Sequence, residues 1–407
     1  MAENTDYQIY LNSIYPNTTW SISRLSGGVV NFTFRATLVS GSAPYESLII
    51  KHARPYIAAG GPEWAFTTQR QTVEAELLSL WDADGALFPQ RNRTTKWRSP
   101  HLIRHDQGKE SELGLSSSDE EASVLVLADL GSLVNIVEFL TFHATNKENS
   151  ITNDERDEIA AVVGHAFGII HSPSTKSIIH ATPTCAAKLT HSYTEGVLYQ
   201  TGIEPIKSRL GSHPDAALLY DRVLGEFKAP KYKYPKCLAM GDFTPGSILM
   251  DAPSSTASHS PIIVDWEFAR VNGHGINGDI ACFLASMRCE LLLAQQAGST
   301  SVYEALLGFT AAFCAAYRQT SELICRKQGS DVNMQLLRAT FLVHGREMIN
   351  RAYDTYESSS CVKEMVELGT WYIERAGDSV EDFYDAANWE KLQEERDLLI
   401  QSLFIFP

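Results

Sequence analysis

The chain has 407 residues, of which 44% are hydrophobic and 20% charged, and its formal net charge is −15. This length exceeds what one core usually holds, so we expect two lobes. The acidic balance argues against nucleic-acid binding, which needs a basic face, and no apolar run is long enough to span a membrane. The seven cysteines are scattered and the N-terminus carries no secretion signal, so we expect a cytoplasmic protein with reduced thiols.

The first 130 residues are dominated by strand patterns. Residues 20–26 (WSISRLS) and 31–39 (NFTFRATLV) alternate or are β-branched and aromatic, with a Gly-Gly pair between them. A third strand is predicted over 46–53 (ESLIIKHA), then a helix over 67–81 and a short strand over 123–130. The Ser-rich, acidic segment 105–123 is predicted as a flexible surface loop.

Helical patterns dominate the rest of the chain. Residues 151–172 form a predicted helix with a Thr or Asn cap and acidic residues in its first turn. Two short strands, 247–251 and 261–267, are predicted before long helices over 301–323 and 334–353 and a helical tail over 362–406. The predicted fold class is therefore α+β, with a β-rich lobe at 1–130 and an α-rich lobe at 131–407.

A lysine and a glycine turn in the β-rich part are candidates for phosphate contacts. Lys51 ends the apolar run SLIIK, where a charge is costly without a partner, and Glu74 lies on the helix that follows. Kinases hold a charge against ATP phosphates with such a lysine–glutamate pair; the alternative is an edge-strand lysine in solvent. Gly27 and Gly28 allow close approach of a phosphate, but taken alone a simple hairpin turn is the better interpretation.

Carboxylates in the α-rich part form a second group of candidates. Asp242 lies in a loop (MGDFTPGSIL, 240–249) before a short strand, where it can accept the proton of an attacking hydroxyl. An ordinary Asx turn is the alternative. Asp265 and Glu267 end the strand 261–267, and because alternate strand residues point the same way, both can face one site and bind Mg²⁺. The alternative is a solvated strand end.

These features occur in one order: Gly turn, strand lysine, helix glutamate, loop aspartate, Asp-x-Glu. In this order the chain resembles the aminoglycoside phosphotransferase and choline kinase-like superfamily, which has a protein-kinase-like two-lobed fold. Family loops commonly read H-G-D-x-x-x-x-N. Here Gly241 and Asp242 match, Met240 takes the histidine place, and Ser247 takes the asparagine place.

Two further segments carry the resemblance. GHAFGIIHS (164–172) is similar to a family helix that ends at a histidine, here His171. NGDIACFLAS (277–286) is similar to the segment after the metal-binding strand, in which Asp279 would brace the catalytic loop.

Within the superfamily, the 5-methylthioribose kinase branch has the most similar pattern. KHARPYIAAGGPEWAFTTQRQTVEA (51–75) is similar over its whole length, with Trp64 and Arg70 in matching places. The branch also uses serine at the Ser247 position. The chain departs where methylthioribose kinases carry an Arg-Arg pair, since it has Asn350 followed by Arg351. Fungal small-molecule kinases of the 4-hydroxytryptamine kinase type resemble the chain as well, and they also lack the histidine before the loop aspartate.

The resemblance implies ATP and Mg²⁺ as cofactors. Asp242 would accept the proton, Ser247 would support the metal or Asp242, and Asp265 and Glu267 would hold Mg²⁺. Trp64 and Arg351 are candidates for substrate contact. The residues implied in cofactor binding are Gly27, Gly28, Asn31, Lys51, Glu74, Leu127, Ala128 and Asp129.

The predicted partner is a small-molecule hydroxyl acceptor, with no nucleic acid or membrane, and the protein is expected to be a monomer or homodimer. The alternative is a non-catalytic kinase-fold binding protein, a pseudokinase, because the histidine and asparagine around Asp242 are missing. A protein kinase is less consistent with the chain, which has no Asp-Phe-Gly and no Ala-Pro-Glu segment.

Overall fold

The computed structural model describes residues 5–25, 28–92, 96–211, 213–253, 259–325, 331–383 and 399–404. These residues group into two units. Unit 1 takes its residues from Met1–Phe88, Ser99–Gly131 and Asp265–Phe268, and unit 2 from Pro89–Arg98, Ser132–Val264 and Ala269–Pro407. The boundary at residue 130 stays a prediction.

Unit 1 is built on an antiparallel sheet in the order β1-β2-β3-β5-β4. Its strands are β1 Thr19–Arg24, β2 Phe32–Ser40, β3 Ser47–Ala53, β4 Leu102–Lys109 and β5 Glu121–Ala128. Helix α1 (Tyr7–Ile14) packs on one face, in a core with Trp20, Leu48, Ile50 and Val126. This helix was not predicted. It begins at Asp6, whose side chain accepts hydrogen bonds from two backbone amides of the first turn.

Helix α2 (Gln69–Trp81) is buried on most of its surface, which includes the charged residues Arg70 and Glu74. Because charges are rarely buried without partners, we expect Arg70 and Glu74 to have partners within unit 1. A short helix, α3 (Phe88–Asn92), follows it.

The prediction of a flexible loop over 105–123 is wrong at both ends. Residues 105–109 belong to β4 and 121–123 to β5, and the two strands pair along their length. Glu110, at the end of β4, is buried and accepts a hydrogen bond from Arg54 Nε at 2.6 Å. The polar composition gave no strand signal because β4 is at the edge of the sheet, where all of its residues are half-buried or exposed.

Unit 2 is mainly helical. Its helices in the described residues are α4 Ile136–Thr145, α5 Asn153–Ile170, α6 Pro173–His180, α7 Pro183–Leu189, α8 Tyr193–Leu198, α9 Ile206–Arg209, α10 Ala216–Lys228, α11 Ala281–Gln296, α12 Thr300–Thr320, α13 Asp331–Asp354, α14 Val362–Ala376, α15 Val380–Phe383 and α16 Leu399–Ser402. Two π-helical segments, Tyr199–Ile203 and Gly275–Ile280, precede α9 and α11. Of the predicted helical tail, residues 384–398 and 405–406 lie outside the described residues.

Small sheets complete unit 2. Strands β6 Leu133–Asn135, β8 Ile248–Asp251 and β9 Ile262–Ile263 pair in the order β6-β8-β9, and β7 Cys237–Ala239 pairs with β10 Arg270–Gly273. The predicted strand 261–267 is therefore shorter than expected, because it ends at Ile263. The cause is Asp265, whose φ of 66° turns the backbone out of the extended conformation.

Helix α5 crosses α12 closely because two glycines lie at the crossing. A Cβ at Gly164 would come within 2.5 Å of the Phe313 carbonyl oxygen, and one at Gly168 within 2.6 Å of Thr320. A capping box, Thr152 with Glu155, begins α5. The close crossing fixes the end of α5, where His171 caps the helix.

The observed elements confirm the predicted fold class, α+β with a strand-rich N-terminal part and a helical C-terminal part. No helix in the described part of the chain has both the length and the hydropathy needed to cross a bilayer.

Candidate active site

In unit 1, the Lys51 side chain lies between two carboxylates. Its Nζ is 2.8 Å from both oxygens of Glu74 and 2.9 Å from Asp265 Oδ1. Burial lowers the pKa of Lys51, but the negative charges of Glu74 and Asp265 outweigh it and raise that pKa above its usual value. Lys51 is therefore a fixed positive charge. The alternative of an edge-strand lysine in solvent is wrong, since β3 lies inside the sheet and Lys51 is buried.

Asp265 and Glu267 both approach this lysine region, although they do not lie on a strand. The Asp265 side chain is 52% exposed, and Glu267 is buried. Trp266, between them, is buried against Trp81, with ring centroids 6.2 Å apart. Burial, with the charges of Glu74 and Asp265, raises the pKa of Glu267 to about 7, against the opposing effect of Lys51.

Asn31 and Arg70 hold Glu267 from the other side. Asn31 Nδ2 donates to Glu267 Oε2 at 2.5 Å, and Arg70 Nε donates to Asn31 Oδ1 at 3.0 Å. Arg70 Nε is also 3.8 Å from Glu267 Oε2. Nucleotide contact by Asn31 stays a prediction, while both ends of its amide are engaged within unit 1. We call Lys51, Glu74, Asp265, Glu267, Asn31 and Arg70 the unit 1 charge cluster.

The glycine turn and the tryptophan-bearing loop run side by side. The amides of Ala58 and Ala59 donate to the carbonyls of Val30 and Val29 at 3.0 and 2.9 Å. Trp64 is 55% exposed, at the tip of this loop. Gly28 is exposed, and Gly27 lies outside the described residues.

In the segment predicted to contact adenine, some backbone groups already form hydrogen bonds within the protein. The Ala128 amide donates to the His101 carbonyl at 3.0 Å, and Leu127 is paired in the sheet opposite Ile49. The Asp129 carboxylate forms an ion pair with Arg35 at 2.7 Å. Adenine contact by backbone groups of Leu127, Ala128 and Asp129 stays a prediction, and it cannot use the Ala128 amide in this arrangement.

In unit 2, the Asp279 carboxylate holds the backbone of the loop that carries Asp242. The backbone amides of Met240 and Gly241 donate to the two Asp279 oxygens at 2.6 and 2.9 Å. Asp279 lies 3.1 Å from His171 Nε2, and His171 Nδ1 is 2.9 Å from the Tyr317 hydroxyl. Asp279 therefore braces the loop, as the sequence predicted.

The loop is also anchored by its own side chains. Phe243 is buried and stacks on Phe167 and Phe283. Ser247 is buried, and its hydroxyl donates to the Asp242 carbonyl at 3.2 Å while accepting from the Thr244 amide at 3.3 Å. The Asp242 side chain itself is 57% exposed. A rigid loop therefore presents an accessible carboxylate.

Arg351 lies beside Asp242 on helix α13. Its Nη2 is 3.7 Å from Asp242 Oδ1, and its Nε donates to Glu347 Oε1 at 2.9 Å. Burial lowers the pKa of Arg351, but Glu347 and Asp242 raise it, so the guanidinium stays charged. Asn350 is buried and serves another purpose: it donates to the Gly202 carbonyl at 2.9 Å and accepts from Arg209 at 2.7 Å.

Sequence reasoning did not single out Glu347 or the bridging role of Asn31. Glu347 had a detectable signal, since a glutamate four residues before an arginine on a helix forms an i, i+4 pair. Asn31 and Arg70 are 39 residues apart, and no local spacing rule connects residues so distant in sequence.

No family model matches the chain. Over 296 residues it is 22% identical to a 4-hydroxytryptamine kinase of Psilocybe cyanescens, covering 70% of this chain and 72% of the relative. It is 27% identical over 165 residues to the phosphotransferase FrzJ of Cladobotryum sp, with 38% of this chain and 39% of that relative covered. A crystal structure of a candidate aminoglycoside phosphotransferase from Ralstonia eutropha aligns with a TM-score of 0.50 at 11% identity, covering 91% of this chain and 97% of that one.

The similarity to the Ralstonia eutropha structure concerns the fold alone, whereas the two fungal relatives are similar in sequence. The specific likeness to the methylthioribose kinase branch stays a prediction. The chain shares the fold of that aminoglycoside phosphotransferase structure, and the two fungal relatives of similar sequence are named as a kinase and a phosphotransferase, which confirms the predicted resemblance.

Proposed function

We propose that the protein transfers the γ-phosphoryl group of ATP to a hydroxyl group of a small molecule, with Mg²⁺ as cofactor. The observation that carries this proposal is the position of Lys51, whose Nζ is within 3 Å of carboxylates from two separate segments, Glu74 and Asp265. A buried lysine held this way can offer a fixed charge to the ATP phosphates without losing its orientation.

The unit 1 charge cluster fits a divalent cation. With every group ionised, Lys51 and Arg70 supply two positive charges against three negative charges from Glu74, Asp265 and Glu267, which leaves one negative charge in excess. Carboxylate oxygens are the ligands that Mg²⁺ prefers, and the half-exposed Asp265 can complete its shell with water and phosphate oxygens. Asp265 and Glu267 would hold the ion, and the bound ion would neutralise charge on the phosphate oxygens.

The chemical step requires an acceptor oxygen and a proton acceptor. The hydroxyl oxygen of the substrate forms a bond to the γ-phosphorus, the bond from that phosphorus to the β,γ-bridging oxygen breaks, and ADP leaves. Asp242 orients the hydroxyl and takes its proton. Because the transition state of phosphoryl transfer is loose, positioning contributes more than basicity, and the brace from Asp279 to the Asp242 loop supports this role.

The acceptor is a small hydroxylated compound, either sugar-like or a hydroxylated amine. One sequence relative is named for 4-hydroxytryptamine, an aromatic amine with a hydroxyl group. The net charge of −15 is compatible with a cationic acceptor but does not require one. Methylthioribose remains a test compound, although Asn350 stands where an arginine is expected.

The experiment is an ADP-release screen over small alcohols, methylthioribose and hydroxylated aromatic amines, with ATP and Mg²⁺. We expect slow ATP hydrolysis in water that accelerates with one acceptor class, and no acceleration in the Asp242→Asn variant. Tight ATP binding without any acceptor-dependent turnover would favour the non-catalytic alternative. Absence of ATP binding would overturn the proposal.

A further inference from the structure

Arg70 is the most heavily engaged charged side chain of helix α2. It is fully buried and donates hydrogen bonds to backbone carbonyls of Phe66 and Thr67 at 2.8 Å, and of Arg54 and Tyr56 at 3.0 and 3.2 Å. These carbonyls lie at the two ends of the tryptophan-bearing loop. A guanidinium has five donors in a rigid plane, so one side chain fixes both ends of the loop and the start of α2.

One donor of Arg70 is directed elsewhere. Its Nε donates to Asn31 Oδ1 at 3.0 Å. This bond turns the oxygen of the Asn31 amide towards Arg70 and its NH₂ group away from Arg70. The NH₂ end, Nδ2, then faces Glu267 Oε2 at 2.5 Å. In this orientation the Asn31 NH₂ group donates to the carboxylate. A rotated amide would place its oxygen against the carboxylate instead, and the bond from Arg70 opposes that rotation.

We propose that Arg70 and Asn31 are positioning residues that hold the Glu267 carboxylate in the orientation needed to bind Mg²⁺. This inference rests on the proposed function. A buried carboxylate needs hydrogen-bond donors, and the bond from Asn31 to Oε2 fixes the orientation in which the Glu267 carboxylate can meet a cation. Groups that orient a metal ligand from behind are worth about 10- to 100-fold in metal affinity.

The arrangement also connects the metal site with the glycine turn. Asn31 is the residue just before β2, and Arg70 Nη2 lies 3.4 Å from the carbonyl of its neighbour Val30. The same two side chains therefore fix the turn that follows Gly28 and the carboxylate of Glu267. Movement of Arg70 or Asn31 would therefore displace both the turn and the Glu267 carboxylate. Because Glu267 is the proposed metal ligand, the displacement should change Mg²⁺ binding as well as ATP binding.

The test is Asn31→Asp in the full chain. The new carboxylate keeps an acceptor for Arg70 but places a negative oxygen, in place of the NH₂ group, against Glu267. The readout is binding of a fluorescent ATP analogue as a function of Mg²⁺ concentration, which requires no turnover. We expect the Mg²⁺ concentration at half-maximal effect to rise about tenfold or more, with little change in analogue binding when Mg²⁺ is absent.

Asn333→Asp is the matched control. Asn333 is as buried as Asn31, at 4% exposure, and its amide bonds the backbone of Cys325 in unit 2. This variant makes the same chemical change and should leave the Mg²⁺ midpoint unaltered. Asn31→Ser, which removes the donor without adding charge, is read by the same titration and should give a smaller shift in the same direction.

Each outcome decides one question. A Mg²⁺ midpoint that is unchanged in the folded Asn31 variants would overturn the positioning role. A loss of analogue affinity that is equal with and without Mg²⁺ would overturn it as well, because it would mean that Asn31 contacts the nucleotide directly. A wild-type protein without Mg²⁺-dependent nucleotide binding would instead overturn the proposed function.

Discussion

Met240 donates its backbone N–H to the Asp279 carboxylate at 2.6 Å, and this contact does not depend on the Met240 side chain. The resemblance placed a histidine at position 240 in many relatives. In this protein the side chain at that position is apolar and buried, while the loop is held through its backbone by Asp279 and, behind it, His171. Methionine at this position is therefore compatible with an ordered loop around Asp242.

Asp279→Asn tests this brace. The amide can accept at only one of its two ends, so one of the backbone amides of Met240 and Gly241 loses its acceptor. Leaving a buried donor unsatisfied costs about 1–3 kcal/mol of unfolding free energy, and displacement of Asp242 lowers turnover in addition. The measurements are urea denaturation and the acceptor-dependent kcat.

Asp251→Asn is the control for that variant. Asp251 is also buried in unit 2 and forms an ion pair with Arg98 at 2.5 Å. Its substitution should lower stability without lowering kcat. If Asp279→Asn and Asp251→Asn lose equal stability and keep equal kcat, Asp279 has no role in positioning Asp242.

Asp242→Asn tests the proton acceptor. The variant keeps the shape and the exposure of the side chain but cannot take the hydroxyl proton, so turnover should fall by about 10²- to 10⁴-fold. ATP affinity, measured by titration calorimetry, should be unchanged because Lys51 and Glu74 are intact. Asp354→Asn is the control, because Asp354 is a similarly exposed aspartate of unit 2 that forms an ion pair with Arg209. Full activity in Asp242→Asn would contradict the assignment.

Arg351→Lys separates two roles for this arginine. The sequence suggested substrate contact, whereas its Nη2 lies 3.7 Å from the Asp242 carboxylate and its Nε is held by Glu347. Lysine keeps the charge but cannot contact both carboxylates in one plane. We expect a fall in kcat of up to about 100-fold through misplaced Asp242, with little change in the acceptor KM. A raised KM with an unchanged kcat would assign Arg351 to the substrate instead.

The sequence predicted the contacts of Lys51 and of Asp279 better than the backbone that carries Asp265 and Glu267. Lys51 and Glu74 follow from a buried strand lysine and the next helix, and Asp279 follows from a segment with a recognisable pattern. The prediction that a strand continues through Asp265 and Glu267 was wrong. Asp265 has a positive φ, which no local sequence pattern indicates. Helix α1 was missed because the N-terminal composition suggested strands, although Asp6 is a recognisable N-cap.

The stability of the protein should depend on pH through His344, a buried histidine outside the candidate site. Burial of His344 on α13, together with the positive charge of Arg288, lowers the pKa of His344 to about 3. The folded protein therefore keeps this ring neutral at a pH at which the unfolded chain, with a histidine pKa of about 6.5, already binds a proton.

Because the folded pKa is the lower one, the contribution of His344 to stability is fully present above pH ~6.5 and is lost as the pH falls below that value. The slope is at most about 1.4 kcal/mol per pH unit for one histidine. In urea denaturation between pH 7.5 and 5, His344→Gln should show a smaller loss of unfolding free energy than the wild type. His180→Gln, at an exposed histidine, should keep the wild-type slope. Equal slopes in wild type and His344→Gln would mean that His344 becomes protonated in the folded protein as readily as in the unfolded chain, which its burial against Tyr372 makes unfavourable.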